Sequence, residues 1–113
     1  MRWILRSKLH KATVTEADVS YVGSITIDEA LIDAVGLKPG EKVLVVDNTN
    51  GARLETYVIV GERDSGTICM NGAAAHLIHR GDDITILGFE LTDIELTPTK
   101  ALIGQGNKIV RFL

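Results

Sequence analysis

Gly23-Ser24 is the pair in this sequence best placed to become a reactive group. It sits within Asp18-Val19-Ser20-Tyr21-Val22-Gly23-Ser24-Ile25-Thr26-Ile27-Asp28, between a polar turn and a helix-prone stretch. An isolated Gly-Ser is ordinarily a turn leading into a helix. Where the backbone is strained and the oxyanion stabilised, however, a serine hydroxyl attacks the preceding carbonyl and converts the peptide into an ester. Elimination from that ester, then hydrolysis of the resulting dehydroalanine, leaves a pyruvoyl group on the new amino terminus, and the chain then carries a ketone. Rival chemistries find little support. There is no zinc-ligand spacing, phosphate-binding glycine loop or dinucleotide fingerprint, and His10, His76 and His79 make no recognisable metal set. His76 and His79 read as helix-end residues that complement the dipole.

The elements that must position this pair are mainly strands. Trp3-Ile4-Leu5, Lys11 to Thr15, Glu41 to Asp47, Arg53 to Val60, Gly66 to Met70, Asp83 to Phe89 and Lys108 to Phe112 are short and β-prone. Lys38-Pro39-Gly40, Asn50-Gly51, Asp64-Ser65-Gly66 and Gly81-Asp82 separate them as turns. Short strands joined by tight turns predict a closed barrel. Two segments break the pattern. Thr26 to Gly36 predicts a helix, with Ile27, Ala30, Leu31, Ala34 and Val35 on one face, Thr26 and Glu29 at capping-box spacing and Gly36 as the left-handed stop. Asn71 to Gly81 predicts a shorter one, capped by Asn71 and propagated by alanines. The tail after Thr97-Pro98 reads as one more strand, and no internal repeat is visible.

Lys8-Leu9-His10, Tyr21-Val22-Gly23-Ser24, Asn50-Gly51-Ala52-Arg53, Glu55-Thr56-Tyr57 and Asn71-Gly72-Ala73-Ala74-Ala75-His76 together resemble the bacterial pyruvoyl-dependent aspartate 1-decarboxylases. Five motifs agree in order and spacing over nearly the whole chain, where any one alone would be weak. The resemblance implies a double-psi β-barrel with short helices, formed by residues 1–113 as a single domain. It implies self-cleavage into a small chain 1–23 and a large chain 24–113, and a homotetramer with active sites between neighbouring subunits. It also implies decarboxylation of L-aspartate to β-alanine and CO2 for pantothenate biosynthesis.

The resemblance carries roles to particular positions. Ser24 becomes the covalent pyruvoyl cofactor, and Gly23 becomes the new carboxyl terminus. Thr56 polarises the Gly23 carbonyl during cleavage and later contacts substrate. Tyr57 donates the proton, for which a phenol is suited because it carries no permanent charge. Thr56 and Tyr57 are adjacent on an expected strand and should face opposite ways unless it twists or bulges there. Gly72, Ala73 and Ala74 supply backbone contacts to substrate. A diacid also needs cations: Arg53 offers a carboxylate-gripping fork, Lys8 a point charge, and His10 a third candidate. Tyr21 and Asn71 are supporting residues. Val46 and Asp47 depart from relatives that carry an aromatic residue there, and no maturation partner is indicated.

Bulk properties fit this expectation. With 113 residues, 45% hydrophobic, the chain has the size of one compact core. A formal charge of −3 argues against nucleic acid or an anionic membrane as partner. The start of the chain is charged too early for a signal peptide, and no apolar run has the length of a membrane span. Cys69, the single cysteine, lies in the apolar stretch Thr67-Ile68-Cys69-Met70 and reads as buried. A cytoplasmic protein is expected.

Overall fold

A computed structural model describes all residues 1–113. Nine strands form: β1 Arg2–Thr13, β2 Glu16–Asp18, β3 Ser24–Asp28, β4 Lys42–Asp47, β5 Arg53–Gly61, β6 Ile68–Asn71, β7 Asp83–Thr92, β8 Thr99–Ile103 and β9 Ile109–Phe112. One α-helix, α1 Glu29–Val35, and 3-10 segments at Gly72–His76 and Gln105–Asn107 complete the chain.

The strands are hydrogen-bonded in the order β2-β6-β3-β5-β4-β7-β1-β8-β9. The sheet closes because the chain passes from β1 through Val14 and Thr15 into β2. Val14 N–H still donates to Asp82 beside β7, while Thr15 N–H already donates to Ile68 on β6. Treating β1 and β2 as one bent stave gives a barrel of β1/β2, β6, β3, β5, β4 and β7, with β8 and β9 added outside along β1.

Its pairings have an internal two-fold. Exchanging β1/β2 with β5, β3 with β6, and β4 with β7 maps the parallel pair β2·β6 onto the parallel pair β3·β5. It also maps antiparallel β1·β7 onto β4·β5, and leaves β3·β6 and β4·β7 unchanged. Helix α1, between β3 and β4, corresponds to the segment Gly72–His76, between β6 and β7. This interlocked arrangement is a double-psi β-barrel. No sequence repeat accompanies it, because the constraint acts on strand order and alternation and leaves residue identity free.

Alternation fills the interior. Ile25 and Ile27, Val43 and Val45, and Ile84 and Ile86 point inward from their strands and are fully buried with Leu9, Val14, Val58, Ile68 and Met70. Leu31, Ile32 and Val35 of α1 join this core, while Ala30 and Ala34 remain half-buried.

Both expected helices are shorter than their patterns. Thr26 stays in β3 because Ile25 to Asp28 pair in parallel with Val58 to Gly61, so the Thr26–Glu29 capping box does not form. Asp28 caps α1 instead, accepting from Ala30 N–H at 2.8 Å, and Gly36 takes the left-handed stop with φ 76°. The second helix shrinks to the 3-10 segment Gly72–His76. Trp3 to Leu5 and Lys11 to Thr13, separate in pattern, fuse into β1, with Val14 and Thr15 in the bend that follows: Lys8 and His10 lie on its outer side while Leu9 points inward.

Candidate active site

Ser24 opens β3, and the antiparallel register places it opposite Asn71, with Thr26 opposite Cys69. Ser24 and Asn71 are both buried. The Asn71 amide sits among these side chains: its Nδ2 donates to Ser24 Oγ at 2.9 Å and to Thr26 Oγ1 at 3.0 Å, while its Oδ1 accepts from Cys69 Sγ at 3.1 Å. Ser24 Oγ also donates to the Val22 carbonyl at 3.5 Å, one peptide before the Gly23–Ser24 bond. Asn71 therefore does not cap the following segment, as its position in sequence suggests; it makes no capping bond, because its side chain is taken up across the sheet.

Gly23 and Gly72 press together behind this network. Gly72 has φ +69°, and a Cβ there would stand 2.7 Å from Gly23 Cα and 2.9 Å from Gly23 N. Two backbones approach at a distance that glycine alone permits, which fixes where the Gly23 peptide runs.

In front of the pair is a cavity of about 240 Å³. Gly23, Ser24, Thr56, Asn71, Ala73 and Ala74 share its wall, and Leu54, Glu55 and Leu77 close its edges. Glu55 also reaches the outer face of the sheet, where Lys42 Nζ pairs with it at 2.9 Å. Asn50 Nδ2 donates to the Leu77 carbonyl at 2.9 Å, tying the Asn50-Gly51 turn to the same edge. The serine, the threonine and the alanine backbone expected together are thus brought together, whereas Gly72 stands behind the wall.

Tyr57, Lys8, His10 and Arg53 are not part of that wall. Alternation along β5 puts Thr56 on the cavity side and Arg53 and Tyr57 on the exposed outer side, so neither twist nor bulge brings Tyr57 beside Thr56. Lys8 and His10 share this outer face. Arg53 pairs with Val46, Val46 with Thr85, and Thr85 Oγ1 lies 3.4 Å from His10 Nδ1. Burial and the positive neighbours Lys8 and Lys11 hold His10 below its ordinary value of 6.5, against the opposing pull of Asp83. The shift favours the uncharged imidazole. Tyr21 is exposed on the loop before Gly23. The same outer face holds a shallow apolar hollow of about 510 Å³ between Trp3, Leu44 and Phe89.

A family model described as aspartate decarboxylase matches residues 1–110. The chain belongs to the aspartate decarboxylase family. Curated relatives in this family include the aspartate 1-decarboxylase of Bacillus subtilis (strain 168), 54% identical over 99% of this chain and 91% of the relative. The aspartate 1-decarboxylase of Bacillus cereus (strain B4264) is 53% identical over the same shares. Among solved structures, the computationally designed protein msDPBB_sym2 aligns with 77% of this chain and 99% of its own at 17% identity and a TM-score of 0.47.

For a member of the aspartate decarboxylase family, two contributors escaped the reading of motifs. Thr26 and Cys69 each lie two residues from a recognised position, Ser24 and Asn71, on the same strand face. Period-two alternation was the signal that could have found them. Thr26 instead read as a helix start, and Cys69 as part of a buried strand.

Proposed function

We propose that this chain cuts itself between Gly23 and Ser24 and, as the resulting chains 1–23 and 24–113, decarboxylates L-aspartate to β-alanine and CO2. The observation that carries this is the buried Ser24 hydroxyl, held by Asn71 beside the Gly23 peptide and facing a cavity that Thr56 also lines. In the cleavage, Ser24 Oγ bonds to the Gly23 carbonyl carbon and the peptide C–N bond breaks. Thr56, from the cavity wall, donates to the carbonyl oxygen as charge builds there.

A pyruvoyl group fits position 24, because it is no larger than the serine it replaces and the small Ala73 and Ala74 leave room for a short amino acid in front of it. Such a group supplies an electrophilic carbonyl that takes up the substrate amine and the electron pair released with CO2. The protein's own residues bind and orient. Backbone N–H groups around Ala73 and Ala74 meet one carboxylate, and Arg53 grips the carboxylate that is retained, since clamping the departing one would stabilise the ground state. Lys8 adds charge at the mouth, and Tyr57 returns a proton to the former α-carbon.

Arg53, Lys8, His10 and Tyr57 face outward on an exposed sheet surface that also bears Trp3, Phe89 and Leu91. An apolar face of this kind with two unneutralised cations fits a second copy of the chain. We place these residues over the cavity of a neighbouring subunit, in a homotetramer in the cytoplasm. No helix is long and apolar enough to cross a membrane.

Denaturing mass spectrometry of the warmed, purified chain tests the cleavage: two fragments divided after Gly23, with a pyruvoyl mass in place of serine, are expected. A chain that stays whole and releases no CO2 from aspartate would overturn the proposal. Subunit sharing is checked by mixing two inactive proteins, Arg53→Ala and Ser24→Ala, under conditions that exchange subunits. With random exchange, half of the sites carry an intact Ser24 and half of those face an intact Arg53, so recovery of β-alanine formation to roughly a quarter of the native rate is expected. No recovery would place both residues on one chain's site.

A further inference from the structure

The Asn71 amide has two ends, and which of them faces Ser24 determines how it affects the nucleophile. With Nδ2 toward Ser24, an N–H stabilises Oγ as it loses its proton; with Oδ1 there, the same contact disfavours the negative charge. Size and shape do not choose between them, since the two ends of an amide are nearly identical. The choice rests on what each end meets.

Oδ1 meets the Cys69 thiol at 3.1 Å, a separation that suits S–H donation to oxygen better than N–H donation to the large, weakly accepting sulfur. Nδ2 meets two hydroxyl oxygens, Ser24 Oγ and Thr26 Oγ1, either of which would tolerate donor or acceptor. The thiol is therefore the one group in the network that distinguishes the two orientations. It is also kept protonated: burial raises its ionisation above the ordinary 9.0, and the nearby carboxylates Glu16 and Asp18 raise it further.

Resting on the self-cleavage proposed above, we infer that Cys69 is a positioning residue for that reaction: its S–H fixes the Asn71 amide with the donor end toward Ser24. Thr26 completes the arrangement by accepting the second Nδ2 hydrogen. In the step so assisted, Oγ bonds to the Gly23 carbonyl carbon, the Gly23–Ser24 C–N bond breaks, and the hydroxyl proton passes to the released Ser24 amine. No co-reactant is required. The orientation matters at the first of these events, when charge develops on Oγ in a buried place.

A packing role and a donor role for Cys69 predict opposite rankings of two substitutions. Valine keeps the bulk and apolarity but has no donor; serine is smaller and polar but donates. The experiment follows cleavage by denaturing mass spectrometry in the full chain and in Cys69→Val, Cys69→Ser and Cys69→Ala, with the thermal midpoint of each precursor measured alongside. Loss of orientation leaves a partly wrong amide rather than a missing one, so Cys69→Val and Cys69→Ala should cleave about fivefold more slowly, well short of the loss of a whole oxyanion donor. Cys69→Ser should stay within about twofold of the native rate even if its midpoint falls. Cleavage by Cys69→Val at the native rate, or a slower rate in Cys69→Ser than in Cys69→Val, would overturn the inference while leaving the cleavage itself standing. If Cys69→Val does not fold, the comparison of Cys69→Ala with Cys69→Ser decides in the same way. A native chain that does not cleave removes the proposed function and this inference with it.

Discussion

Replacing Ser24 by alanine is expected to leave a single uncut chain of 113 residues that forms no β-alanine at any substrate concentration. Both losses follow from one atom. Without Oγ nothing adds to the Gly23 carbonyl, and without the cleaved serine there is no carbonyl at position 24 to take up an amine. The change is also small structurally. The side chain is fully buried, but Asn71 Nδ2 retains Thr26 Oγ1 as an acceptor, so its donors do not all lose their partners. The expected stability loss is about 1 kcal/mol, that of one ordinary hydrogen bond. Mass spectrometry, a CO2-release assay and a thermal melt on the same sample check all three. Residual cleavage would mean that another nucleophile cuts the chain.

Asp28→Ala is expected to be strongly destabilising, at about 3–5 kcal/mol. One carboxylate serves three backbone N–H groups: Oδ1 accepts from Ala30 at 2.8 Å and Asp64 at 2.9 Å, and Oδ2 accepts from Gly66 at 2.8 Å. It caps α1 and at the same time holds the turn between β5 and β6, so its removal leaves three donors without partners, the Gly66 N–H among them in a buried place. Denaturant unfolding of an uncleavable background measures the loss without interference from the cut.

The same carboxylate gives a pH dependence with a definite sign. Burial by itself would raise its ionisation, but the N–H groups of Gly66, Ala30 and Asp64, with Lys108 nearby, outweigh that and hold it below the ordinary 3.8. The charged form is the one the fold favours. Its contribution is therefore complete above pH 3.8 and is lost as pH falls through the lower, folded value. In Asp28→Ala the acid limb of the stability curve should flatten.

How much of this was legible in the sequence depends on whether a residue acts through its own neighbours or through those across the barrel. β4 and β7 read well because Val43-Val45 and Ile84-Ile86 alternate where they must pack. Gly36 and Gly51 were legible because a positive φ, 76° and 80°, leaves little choice of residue. Ser24, Thr56 and the Asn71 to Ala74 stretch were legible through the company of motifs, and the cavity wall includes most of them. Thr26 was misread because a capping box is a local pattern, and parallel pairing with β5 overrode it. Asn71 was misread for the same reason, its amide being claimed by β3. The separation of Thr56 from Tyr57 follows from strand alternation, yet what Tyr57 would face in the proposed assembly lies on another chain, to which one sequence's periodicities are blind.

The bent stave that closes the barrel has one more consequence. β1 and β2 both lie before Gly23, so the cut proposed there separates the closing stave covalently from everything it closes. The mature protein would be a complex of two peptides, held by β1 between β7 and β8 and by β2 along β6. Precursor unfolding is unimolecular, whereas unfolding of the mature form releases a free peptide and should shift upward with protein concentration, beyond any effect of subunit assembly. Refolding would then be a second-order encounter between strands that synthesis delivered in one piece. On this proposal the precursor would be the form that folds readily, and the cut form would rely on having been folded before it was cut.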